Sequence, residues 1–95
     1  MTYDEFKTSL HGQYPPSKLS VHQEALWYDA KGIWKKAHEL IQDNSDKNSA
    51  WIHAYLHRKE GDFYNADYWY RKARKNRPQV TLEDEWEDIA KALLL

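Results

Sequence analysis

The chain contains no cysteine. Disulfide staples, thiolate nucleophiles and cysteine-based metal sites are excluded at once. Glycine and proline are scarce, with three of each in 95 residues. Three scattered glycines cannot build a phosphate-cradling loop, and no Gly-x-Ser-x-Gly nucleophile turn is present. Neither charge sign dominates: 14 basic against 15 acidic residues leave a formal charge of −1, so the total points to neither a nucleic-acid partner nor an anionic membrane. No apolar run approaches the roughly 18 residues of a membrane span. The opening MTYDEFKTSL is acidic and mixed, unlike a signal or transit peptide. These absences predict a soluble, cytoplasmic chain forming one domain over residues 1–95. A chain of this size buries roughly 65% of its unfolded surface, enough for one modest core.

Aromatic rings are abundant. Five Trp, seven Tyr and two Phe make up 15% of the residues. Each large ring buries about 150–250 Å², so rings can supply core area that aliphatic residues usually provide. Because most of them carry a polar handle, they suit positions packed on one side and hydrogen-bonded on the other.

The periodicity is helical throughout and no segment reads as a strand. A short helix over about residues 2–10 brings Tyr3, Phe6 and Leu10 to one side. His11-Gly12 ends it, and Tyr14-Pro15-Pro16 enforces an extended connector. Ser20 followed by Gln23 is a capping-box signature opening a helix to about Lys31, with Leu26, Trp27 and Ala30 at helical spacing. Gly32 breaks it. A helix over about residues 33–43 aligns Trp34, Ala37, Leu40 and Ile41, and residues 44–49 read as a polar loop. The stretch from Ser49 to Pro78 organises the rest: a helix to about Glu60, a Gly61-Asp62 turn, and a helix over about residues 63–75 with Ala66, Trp69, Tyr70 and Ala73 inward. Thr81 with Asp84 opens a last helix. Its acidic first turns suit the helix dipole, and Trp86, Ile89, Ala90 and Leu93 face inward.

Two glycine turns repeat one pattern. Gly32, Ala37 and Ile41 match Gly61, Ala66 and Tyr70 at a spacing of 29 residues, from Gly32 to Gly61. Glycine permits the tight reversal, alanine lets the second helix approach the first, and the bulky residue fills the groove beyond. The second unit continues to Ala73 and Pro78. This pattern resembles the tetratricopeptide repeat, a helix–turn–helix unit of about 34 residues. The resemblance covers residues 21–78. It implies an all-α fold of two antiparallel helix hairpins, at 21–44 and 49–78, with an N-terminal arm over 1–20 and a capping helix over 81–95. It also implies a small non-enzymatic module that binds a protein or peptide. The ligand-binding residues expected for that role are Trp51, Tyr55, Arg58, Asn65, Tyr68 and Trp69. The apolar Leu93-Leu94-Leu95 end suggests self-association through the last helix.

A second reading rests on His53-x3-His57. Two histidines at i, i+4 share one helix face and can both reach one metal ion. Glu60 follows three residues later, and His38 on the preceding helix can complete a metal or small-ligand set, with zinc the natural candidate. The glutamate that directly follows the first histidine in metalloprotease helices is replaced by Ala54, so no catalytic residue is assigned. The competing reading makes His53 and His57 packing residues bonded to a Tyr hydroxyl or a carbonyl. The basic run Arg71, Lys72, Arg74, Lys75 and Arg77 reads as a solvated helix end facing the acidic last helix, and nucleic acid is not an expected partner.

Overall fold

In the computed structural model, which describes residues 1–94, every regular element is helical. The order is α1 (Tyr3–Ser9), α2 (Val21–Ala30), α3 (Trp34–Ile41), α4 (Lys47–Lys59), α5 (Phe63–Lys72) and α6 (Leu82–Leu94). No helix among the described residues is long and apolar enough to cross a membrane. Leu95, the final residue of the apolar C-terminal run, lies outside the described residues.

The capping signals act as their chemistry dictates. The Ser20 hydroxyl accepts from the Gln23 backbone N–H, and the Gln23 side chain accepts from the Ser20 N–H, at 3.1 and 3.0 Å. Thr2 and Glu5 form the same reciprocal box at the start of α1. The Thr81 hydroxyl accepts from the Asp84 N–H at 3.0 Å. Both glycine turns use one hydrogen-bond pattern. Gly32 and Gly61 sit at φ +81° and +83°, and the residue after each donates back across the turn, Ile33 to the Tyr28 carbonyl and Asp62 to the His57 carbonyl, each at 2.9 Å. These six-residue closures satisfy carbonyls that the ending helix leaves open.

Two helix boundaries differ from the sequence expectation. Residues 44–49 are not all loop: α4 starts at Lys47 because Asp46 caps it. Asp46 accepts from the Ser49 backbone N–H at 3.0 Å and from the Ser49 hydroxyl at 2.7 Å, and His22 of α2 reaches the same carboxylate at 2.8 Å. At the other end, α5 stops at Lys72 rather than Lys75. Arg74 takes a left-handed conformation, φ +59°, and the Lys75 N–H closes onto the Tyr70 carbonyl at 2.9 Å.

Helix α2 packs chiefly on α3, and α4 on α5, while α6 lies against α2 and α4 and also meets α1. The main core joins Phe6, Leu26, Trp27, Ile41, Ile52, Leu56 and Ile89. Phe6 stacks on Trp86 with ring centroids 5.9 Å apart, and the Trp86 indole N–H donates to the Leu26 carbonyl at 3.1 Å. The alanines of the repeated pattern, Ala37, Ala66 and Ala73, are all buried, as are Ile41 and Tyr70. A second, smaller cluster of Ala54, Ala66 and Tyr70 is flanked by Trp51 and Trp69. Small side chains at 54 and 66 let α5 lie close on α4.

Among the described residues, the buried carboxylates Asp29 and Glu85 each face a cation. Asp29 is held by Lys59 at 2.9 Å, with the Tyr55 hydroxyl pushed far up by burial and then by that carboxylate. Glu85, 1% exposed, accepts from the Tyr70 hydroxyl at 2.8 and 2.6 Å, from Arg58 at 2.7 Å and from the Trp51 indole N–H at 3.2 Å.

A Cβ added at Gly61 meets nothing within 4 Å. Gly61→Ala therefore meets no clash, but it holds an L-residue at positive φ and is expected to lower stability by about 1–2 kcal/mol. A urea melt of the variant checks this, and an unchanged midpoint would mean the turn tolerates a side chain at positive φ.

Candidate metal centre

Helix α3 carries Trp34 and His38 one turn apart. Helix α4 carries His53 and His57 one turn apart. Because α3 packs against α4, the two faces meet and the three imidazoles converge. Nε2 of His38 lies 2.9 Å from Nε2 of His53. A ligating nitrogen from each of His38, His53 and His57 lies within 4.8 Å of the others. The rings of His53 and His57 are near-parallel at 4.8 Å, while His38 meets His53 edge-on at 4.6 Å.

Two indoles close the cluster. Trp34 stacks on His38 at 4.8 Å with an interplanar angle of 11°. Its own N–H is anchored to the Leu56 carbonyl at 2.9 Å. Trp69 of α5 stacks on His53 at 4.0 Å and 17°. His53 is 5% exposed and His57 9%; His38 is half-buried.

Burial disfavours the imidazolium form here. The His53 ring is pushed down to about 3, first by desolvation and then by the neighbouring rings of His38 and His57. His38 is lowered by desolvation first and by His57 next, with Glu60 and Glu39 opposing. At neutral pH both rings are neutral and keep a lone pair. One of the two facing Nε2 atoms must then carry the proton of the His38–His53 contact. Nδ1 of His53 is buried without a hydrogen-bond partner. An orphaned acceptor is less costly than an orphaned donor, because buried N–H groups are the more strictly satisfied of the two. That preference places the His53 proton on Nε2, donating to His38.

His57 is oriented from behind. Its Nδ1 lies 2.6 Å from a Glu60 carboxylate oxygen, which fixes the tautomer with the proton on Nδ1 and a free lone pair on Nε2. This is the carboxylate–histidine arrangement that raises the basicity of a metal-ligating ring. Glu60 thus stands behind His57 rather than beside the other two rings. With His57 and Asp62 it makes a separate group of three.

No protein-family model, curated protein or solved structure matches this chain. The site has to be read from its own geometry.

The metal-ligating set expected from the sequence, His38, His53, His57 and Glu60, falls in one place, with Glu60 in the supporting position. The six residues expected to bind a peptide do not make one exposed patch. Tyr55 is 2% exposed and stands near Asp29. Trp51 and Arg58 are committed to Glu85, with Lys75 over the Trp51 ring at 4.1 Å. Asn65 donates to the Asp62 side chain at 2.6 Å. Trp69 covers His53, and Tyr68 is left exposed beside Lys72. Of the consecutive Tyr68, Trp69 and Tyr70, one ring faces solvent, one is half-buried and one is buried, as a 100° turn per residue requires. Sequence reasoning missed the role of Trp34. Its signal was Trp34-x3-His38, an i, i+4 pair on the same face. A separate concavity of about 290 Å³ lies elsewhere, between Leu10, Asp29, Tyr55, Lys59 and Trp86.

Proposed function

We propose that the protein binds a divalent late first-row transition-metal ion, zinc in the first instance, through His38, His53 and His57. The observation that carries this reading is the meeting of three ligating nitrogens within 4.8 Å, two of them at 2.9 Å. Zinc–nitrogen bonds of about 2.0–2.1 Å place tetrahedral ligand atoms about 3.3 Å apart, so an entering ion has to part the closest pair by only a few tenths of an ångström. Neutral imidazoles suit zinc, copper, nickel and iron, while an oxygen-seeking ion such as magnesium or calcium finds no matching donor set in three rings.

Isothermal titration of metal-free protein with zinc tests it. One ion per chain is expected, with a rise in melting temperature, since anything that binds only the folded state stabilises it. His38→Ala and His57→Ala should each weaken zinc at least 10-fold; His38 is half-buried and His57 buried, so circular dichroism checks that the variants fold. No heat and no thermal shift with the unmodified protein would dismiss the reading.

A second reading keeps the tetratricopeptide resemblance, with a peptide or protein partner. It draws on exposed rings of α5: Tyr64 is 85% exposed, Phe63 48% and Tyr68 42%. Exposed tyrosines are suitable anchors for a partner. Tyr64→Ala separates the two readings, since it leaves zinc affinity untouched.

A further inference from the structure

Resting on the metal reading above, we infer that the ion would keep one coordination position open, and that this position takes a small monodentate ligand from solution, water or a small anion.

The protein supplies three donors to this point and its nearest carboxylates are engaged elsewhere. Glu60 is bound to the far nitrogen of His57 at 2.6 Å. Asp62 caps α5: its carboxylate accepts from the Asn65 backbone N–H at 3.2 Å and from the Asn65 side chain at 2.6 Å. Among the described residues, His57 belongs to two ligand groups, one with His38 and His53 and one with Glu60 and Asp62, and the two do not merge into a single set of four. Zinc-type ions favour four ligands, and three protein donors plus one exchangeable position is the arrangement of sites that act on a ligand rather than hold the fold together.

Charge and shape narrow the ligand. Three uncharged imidazole donors leave the ion's double positive charge on the site, opposed from outside the ligand set by Glu60 behind His57 and by Glu39 and Asp62 nearby, so the open position can take water or a small anion. The indole faces of Trp34 and Trp69 lie against His38 and His53 at 4.8 and 4.0 Å, which walls two sides of the cluster and favours a small ligand over a large one.

Cobalt(II) and azide test this in two separable steps. Cobalt(II) added to metal-free protein should produce visible ligand-field bands, and their absence would sink the metal reading itself. With those bands in hand, azide should shift them in a saturable way while cobalt stays on the protein through desalting. Bands that ignore azide, or cobalt stripped away by it, would overturn the open position and leave metal binding intact. Asp62→Asn supplies the control. It should leave both the bands and the azide shift unchanged; an azide response that appears only in this variant would mean that Asp62 fills the fourth position, again overturning the inference.

Discussion

Glu85→Ala is expected to lower stability by about 3–5 kcal/mol, read as a fall in the urea midpoint followed by circular dichroism. The carboxylate is 1% exposed and is the shared acceptor for three donors from two helices: Arg58 and Trp51 of α4 and Tyr70 of α5. Removing it strands a largely buried guanidinium, a buried hydroxyl and an indole N–H. Breaking a buried pair from one side costs about 3–5 kcal/mol because the remaining charge is left uncompensated. Arg58 keeps its contact with the Val80 carbonyl, which limits the loss to that range. The companion variant Arg58→Met with Glu85→Leu should be less damaging than Glu85→Ala alone, because it removes both charges together. A double variant as unstable as the single one would show that the stranded charge is not the cause.

Acidifying metal-free protein should destabilise it through His53, by an amount on the order of 4 kcal/mol between pH 6.5 and pH 3. In the unfolded chain an ordinary imidazole takes up its proton near pH 6.5. In the folded chain burial, followed by the His38 and His57 rings, holds His53 neutral down to about 3. Below pH 6.5 the unfolded state therefore binds the extra proton, and stability falls with pH until the folded ring ionises too. His38, also lowered, adds in the same direction, with the nearby charges of Glu60 and Glu39 limiting its shift. His53→Phe keeps a ring against Trp69 and removes the titration. Urea unfolding at steps from pH 7.5 to pH 3.5 should show the unmodified protein losing stability faster than the variant below pH 6.5. Parallel curves would overturn this assignment.

The local rules were legible in the sequence wherever one residue carried the signal. Ser20 with Gln23, Gly32 and Gly61 each sit where capping and turn chemistry place them, and the spacing of Ala37 and Ala66 identified close helix contacts. What sequence could not distinguish was two uses of the same residue type. Asp46 looked like one more polar loop residue, yet it opens α4. Glu85 looked like one of several acids serving the α6 dipole, yet it is buried while Glu83 and Asp84 are not. Which acid turns inward depends on where Arg58 and Tyr70 arrive, and that is a tertiary fact. The candidate site was half visible for the same reason. An i, i+4 spacing aligns His53 with His57 on any helix, but bringing His38 to them requires the register of α3 against α4, which no local pattern encodes.

The way α6 is tied in also sets an order of assembly. Each glycine turn joins helices that are neighbours along the chain, so α2 with α3 and α4 with α5 can form by closing short loops. Glu85 reaches Arg58 across 27 residues, and the Trp86 indole reaches Leu26 across 60, so those contacts carry the larger loop-closure cost. Refolding should then be limited by the docking of α6. The histidine cluster, built from α3 and α4 alone, would be in place before that step, and a metal ion present during refolding would find its ligands early.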